Sequence, residues 1–229
     1  MLVVIYIAIL SFFIMLIGSV LAYYSISLKY RKEVEAISLG FIFGVATLIL
    51  LVKGYYKTFF LPLSLGILTV YIIEKFLAYC PMSKNYCVEC KNLEMFKVKY
   101  IYPISFFIHT FIDGLILAIS YLGNIGLPLY LAIITHKIPA GFVLLSPLKW
   151  VYKQPLLICS IISFGTVLGT ILGLILLKNL PIKPLLSYSA GIFLGTFITL
   201  YPHMYHHKED VILYIIIGYI IVGLIGMVR

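Results

Sequence analysis

The first 28 residues, Met1 to Leu28, carry no charged side chain, and seven further apolar runs follow before the end of the chain. A bilayer core of about 30 Å takes roughly 20 apolar residues as a helix. Eight runs approach that length, at about 1–28, 34–52, 58–79, 100–122, 125–146, 155–177, 184–205 and 210–228. In lipid every backbone N–H and C=O needs a partner within the protein, which leaves helices or a closed barrel. Barrel strands are short and alternate in polarity. These runs are long and continuous, so the expected fold is an all-α polytopic membrane protein, an eight-helix transmembrane bundle. The first run lacks the basic start of a signal peptide and is read as a true span.

Composition supports the same class. Apolar residues make up 63% of the chain and charged residues 11%, where a soluble domain has about 25% charged. That is too little polar surface to cover a soluble globule, and far too apolar for a disordered chain. The net charge of +9 would suit a nucleic-acid binder, but its basic residues sit in short connectors between apolar runs. That placement fits membrane topology, with the lipid bilayer rather than nucleic acid as partner.

The connectors also orient the chain. Lys29, Arg31, Lys32, Lys75, Lys84, Lys91, Lys97, Lys99, Lys149, Lys153 and Lys208 fall on one side; Lys53, Lys57, Lys178, Lys183 and Arg229 fall on the other. The richer side is expected to be cytoplasmic. This puts both termini outside a cell membrane and the 80–99 loop inside. With connectors otherwise short, residues 1–229 read as a single transmembrane domain.

Span two contains Ser38, Gly40 and Gly44; span seven contains Ser189, Gly191 and Gly195, 151 residues later at the same offsets. Glycines four apart let helices approach closely. The two spans run in opposite directions, as the halves of an inverted repeat do. Small residues at this spacing are also common in any membrane helix, so both readings stand at this stage.

Ionisable residues deep in a span are costly and mark functional sites by default. They concentrate in two spans. Span four reads Phe107-Ile108-His109-Thr110-Phe111-Ile112-Asp113-Gly114, and span five reads Thr135-His136-Lys137-Ile138-Pro139-Ala140-Gly141. His109 and Asp113 are four apart and share a helix face. With His136 from the next span they offer two nitrogens and a carboxylate, a set that suits zinc or a similar divalent ion. Pro139 is expected to break its helix and turn the carbonyl near Thr135 toward the cavity. Gly114 and Gly141 are expected to bring spans four and five together. The same polar residues also make a closed network that fixes packing, with Lys137 neutralising Asp113.

Two further groups are auxiliary candidates. His203 and His207, after Pro202, stand four apart near the end of span seven, as an exit relay or an interfacial cluster. The 80–99 loop carries Cys80, Cys87 and Cys90, the last two as Cys-x-x-Cys. On the cytoplasmic side these thiols stay reduced and offer a metal-capturing loop; on the other side a disulfide is expected. Cys159, within span six, reads as a small core residue.

The two motifs of spans four and five resemble those of the ZIP family of zinc and iron transporters. That family carries His-Asn-x-x-Asp/Glu-Gly in its fourth span and His-Glu-x-x-Glu-Gly in its fifth. The resemblance extends over the whole chain and implies eight spans in a 3+2+3 inverted-repeat arrangement, external termini and a homodimer. Carried over position by position, it puts His109, Asp113 and His136 on the primary metal site. Three positions depart from the pattern. Thr110 stands for asparagine, as a neutral oxygen. Lys137 and Ala140 stand for the two carboxylates of span five. Span six, from Ile158 to Leu177, has no carboxylate, and Pro202 is followed by His203 rather than an acid. The resemblance then implies a mononuclear site in which the ammonium of Lys137 takes the charge role of a second ion.

The function expected is transport of a divalent transition metal, zinc foremost, toward the cytoplasm, with the ion as substrate and no resident cofactor. A non-transporting metal-sensing or structural homologue is the alternative. An intramembrane metalloenzyme is disfavoured. No glutamate adjoins the candidate ligands, no His-Glu-x-x-His occurs and the serines form no triad.

Overall fold

The computed structural model describes residues 1–24, 31–77, 97–205 and 211–227. Eight helical rods occupy these residues. They are α1 (Leu2–Tyr23), α2 (Arg31–Gly44), α3 (Phe60–Leu77), α4 (Tyr102–Leu122), α5 (Leu127–Val151), α6 (Pro155–Leu176), α7 (Ile182–Tyr205) and α8 (Val211–Met227). A π-helical turn over Val45–Leu50 continues α2 into a last helical turn, Leu51–Gly54, and another over Lys97–Ile101 leads into α4.

The rods match the eight apolar runs of the sequence, and the span lengths that follow are those of the described residues. Six of the rods are long and apolar enough to cross a bilayer, while the apolar stretches Phe60–Ile73 and Val211–Gly226 are shorter. The chain is a multi-pass membrane helical bundle. Its outer faces are apolar: Tyr6, Phe13 and Ile17 of α1, Ile161 of α6 and Leu213 and Leu224 of α8 are all exposed. Small and hydroxylated residues such as Ala8, Ser11, Ser19, Thr166 and Thr170 are buried. Helices in lipid gain little from hiding apolar surface from one another, so small residues that allow close approach line their contacts.

Four pairs pack most closely: α1 with α5, α4 with α6, α2 with α8, and α3 with α7. Residue numbers rise together along each pair. Gly165, Gly169 and Gly173 of α6 meet Phe107, Phe111 and Ala118 of α4 in turn, so these helices run parallel. Such pairs join odd spans to odd and even to even, as expected when every connector reverses the chain. The two ends of the bundle sort accordingly. At one end Lys53 Nζ donates to Asn124 O at 3.1 Å and Ser187 Oγ to Gly54 O at 2.7 Å. At the other, Lys149 Nζ caps α1 through Tyr23 O at 2.7 Å, and Tyr152 OH donates to Lys99 O.

The seams repeat at a fixed interval. A methyl group on Gly18 would lie 2.4 Å from Ile138 O, and one on Gly169 would lie 2.1 Å from Phe111 O. A methyl on Gly40 would lie 2.1 Å from Ile215 O, and one on Gly191 would lie 2.1 Å from Leu63 O. Within each comparison the glycines are 151 residues apart. Hydroxyls follow the same interval. Ser19 Oγ donates to Met15 O and Gly141 O, at 3.2 and 3.1 Å. Thr170 Oγ1 donates to Thr166 O and Gly114 O, at 2.9 and 3.1 Å.

Two expectations for span five are corrected here. Helix α5 runs unbroken through both Pro139 and Pro147. Each proline lacks an N–H and frees the carbonyl four residues earlier, and each freed carbonyl finds a donor on another helix. Ser38 Oγ of α2 donates to Thr135 O at 3.2 Å, and Tyr102 OH of α4 donates to Val143 O at 2.8 Å. The Thr135 carbonyl is therefore engaged by α2. Gly114 and Gly141 do not draw α4 and α5 together either: Gly114 faces Thr166–Thr170 of α6, and Gly141 faces Met15–Ser19 of α1.

Candidate metal centre

Asp113 lies near the middle of the apolar run Lys99–Leu122, and His136 and Lys137 near the middle of Leu127–Lys149. Both helices are held from behind by the glycine seams just described, which leaves their polar side chains facing one another. Asp113 and Lys137 are buried, 3% and 0% exposed. A buried carboxylate and a buried ammonium at this depth persist only when paired.

The side chains converge on one atom, Asp113 Oδ2. Lys137 Nζ donates to it at 2.6 Å. His136 Nε2 lies 3.3 Å away and His109 Nε2 3.6 Å away. Lys137 Nζ also donates to Thr166 Oγ1 of α6, at 3.0 Å. One ligand atom from each of His109, Asp113 and His136 lies within 4.8 Å of the others. Four-coordinate zinc has bonds of about 2.0–2.1 Å, so neighbouring ligand atoms stand about 3.3–3.4 Å apart. The two contacts at Asp113 bracket that spacing, and the three ligand atoms lie within 4.8 Å, so these residues could hold a metal ion once the two imidazoles close by up to about 1.4 Å.

The tautomer of His136 points the same way. Its Nδ1 lies 2.9 Å from Ala132 O. A carbonyl only accepts, so Nδ1 donates and the neutral ring carries its lone pair on Nε2. That lone pair faces Asp113 Oδ2, itself an acceptor. A cation between them, whether a proton or a metal ion, satisfies both. Metal-ligating histidines commonly fix their far nitrogen on a carbonyl in this way. The His109 ring stands edge-on to His136, with centroids 6.3 Å apart, and against Phe106 at 5.8 Å.

The other candidates are placed as follows. Thr110 is fully buried and directs its hydroxyl to Ile162 O of α6 at 2.7 Å. Pro202 and His203 lie at the end of α7, and the His203 side chain and the whole of His207 are outside the described residues. So is the cysteine segment of the 80–99 loop, with Cys80, Cys87 and Cys90. Cys159 is a buried free thiol beside Met15, Phe106 and Ile162, the core residue expected.

Sequence reasoning missed three participants: Thr166, the Ala132 carbonyl and Ser38. A signal for the first was present. Gly165-Thr166 and Gly169-Thr170 repeat at four-residue spacing in α6, a small-residue seam with hydroxyls beside it. The Ala132 carbonyl has no side-chain signature.

The model of a family described as ZIP zinc transporter matches residues 84–226, more than half of the chain. An uncharacterized protein of Methanocaldococcus jannaschii, MJ1036, is 65% identical over 224 residues, covering 97% of this chain and 96% of that protein. Members of the family are divalent-metal transporters rather than enzymes. Lys137 and Ala140 stand at the two positions of α5 where the resemblance implies carboxylates. The chain belongs to the ZIP family of metal transporters, and its cluster of candidate ligands is an atypical one reduced to His109, Asp113 and His136.

Proposed function

We propose that this protein carries zinc toward the cytoplasm, one ion at a time, through a site formed by His109, Asp113 and His136. One observation carries the reading: two imidazole nitrogens and a carboxylate oxygen converge in mid-membrane within 4.8 Å, with one imidazole locked on a backbone carbonyl. The ion sheds part of its hydration shell, binds the three side chains and is released on the opposite side.

The arrangement of helices suggests how access alternates. Helices α1, α4, α5 and α6 pack together around the site, and α2, α3, α7 and α8 form the other tightly packed group. One group rocks against the other, exposing the site to each side in turn. The repeated contacts at an interval of 151 residues support a 3+2+3 inverted repeat, with α1–α3 related to α6–α8 and α4 to α5. His109 and His136 are then equivalent positions, as are Gly114 and Gly141, each 27 residues apart. The excess of basic connectors supports external termini in a cell membrane and a cytoplasmic 80–99 loop within a single 1–229 domain. Its cysteines, with His203 and His207, are auxiliary residues on the exit side. A homodimer is proposed on family grounds alone.

A second reading has one observation in its favour. Lys137 already pairs with Asp113, which would suit a polar network locked for sensing or for structure. Flux separates the two. Purified protein is reconstituted in vesicles and zinc movement is followed in both directions, with His109→Ala/His136→Ala as control. Flux that the control loses supports transport. No flux above empty vesicles, with insertion and folding verified, overturns transport in favour of the locked network.

A further inference from the structure

Lys137 is the member of the cluster that metal binding itself does not call for. It is fully buried, and its ammonium is held at 2.6 Å on Asp113 Oδ2 and 3.0 Å on Thr166 Oγ1. The same Oδ2 lies 3.3 Å from His136 Nε2 and 3.6 Å from His109 Nε2. An ion seated between the imidazoles and Asp113 therefore shares its one anionic ligand atom with a fixed positive charge.

The charge arithmetic is simple. With neutral imidazoles, the empty site holds one carboxylate and one ammonium and is neutral, which suits burial in a membrane. The filled site holds a divalent ion as well and carries two positive charges. Like charges in a low-dielectric site repel strongly, so Lys137 weakens the grip on any divalent ion. The loss is unequal among ions. An oxygen-preferring ion such as manganese or magnesium depends on the carboxylate that Lys137 has partly neutralised. Zinc keeps its bonds to two imidazoles.

We propose that Lys137 is the specificity-determining residue of this transporter: a tethered cation that shares the Asp113 carboxylate with the transported ion, favours nitrogen-preferring over oxygen-preferring divalent ions, and keeps the bound ion loosely held. The proposal rests on the reading of His109, Asp113 and His136 as the transport site. Thr166 is its anchor, because the hydroxyl on α6 accepts a second hydrogen bond from the ammonium that Asp113 Oδ2 holds.

The test is equilibrium binding to the purified full-length protein in detergent. Zinc and manganese are each titrated alone, in competition with a fluorescent chelator. Wild type is compared with Lys137→Gln, Lys137→Met and Lys137→Arg. The neutral variants are expected to bind zinc roughly tenfold tighter or more and to gain still more for manganese, so that the zinc-to-manganese affinity ratio narrows. The arginine variant is expected to keep the wide ratio of wild type. Unchanged or weaker zinc binding in the folded neutral variants overturns the proposal, and so does an equal gain for both ions. Should Lys137→Met fail to fold with Asp113 unpaired, Lys137→Gln still supplies a neutral donor to Asp113, and wild type alone remains decisive, because equal affinity for the two ions overturns the proposal. Zinc binding that is absent from wild type, or indifferent to His109→Ala/His136→Ala, would overturn the site itself, a result distinct from failure of the lysine's role.

Discussion

Gly114 offers the sharpest test of how the bundle holds its site together. A methyl group added there would lie 2.2 Å from Thr166 O, 2.7 Å from Thr170 N and 3.0 Å from Gly169 C. All three atoms are backbone, so no side chain can swing aside. Carbon–oxygen contacts between helices stand at about 3.3–3.6 Å, so α6 has to retreat by about 1 Å. Overpacking of this kind costs about 1–3 kcal/mol, against a helix-propensity gain for alanine of up to about 1 kcal/mol. The net loss of about 1–2 kcal/mol corresponds to a fall in Tm of roughly 2–8 °C for a chain of this size. The retreat also stretches the 3.0 Å bond from Lys137 Nζ to Thr166 Oγ1 beyond hydrogen-bonding reach. Gly226→Ala is the matched control, because a methyl there meets nothing within 4 Å, and it should leave stability unchanged or slightly raised. Both variants are heated in detergent, and the folded fraction is read by size-exclusion chromatography. Gly114→Ala melting at or above Gly226→Ala would refute the idea that α4 and α6 are locked through a backbone seam.

Three further outcomes are expected. Asp113→Asn strands a buried ammonium and should lower stability by about 3–5 kcal/mol; adding Lys137→Met should recover most of it, while metal binding stays lost. A double variant no more stable than the single one would count against the pair. Ser38→Ala removes the donor to Thr135 O beside Pro139 and should cost about 1 kcal/mol, read as a Tm shift that Ser38→Thr largely avoids. Protons compete with the ion for imidazole nitrogens, so zinc affinity should fall at acidic pH. Titrations at several pH values check this, and removing His136 should make the dependence shallower.

Much of the fold was legible because a membrane imposes a strong local rule. Apolar length located all eight rods to within a few residues. The metal-site candidates were legible for the same reason: His109, Asp113 and His136 stand out in spans otherwise almost without ionisable groups. Pro139 misled. A proline predicts a freed carbonyl, and the carbonyl is indeed freed, but its new partner is Ser38 from a helix about a hundred residues away in sequence. The helix continues because that donor is supplied.

The amino-acid order by itself determined the eight apolar runs and the place where histidine, aspartate and lysine side chains cluster in the middle of two of them. These follow from hydrophobic length and the period of a helix, both properties of adjacent residues. Only the tertiary structure decided which helices touch. Gly114 and Gly141 look alike in sequence, and each meets a different outer helix rather than the other. The sequence offered Lys137 as the partner of Asp113, and only the structure added its second bond to Thr166 and the turn of His136 by the Ala132 carbonyl. A small-residue seam can close against any other seam, and a backbone carbonyl has no side-chain signature. Such pairings are therefore selected by the packing of the whole bundle and not by the spacing of residues along one helix.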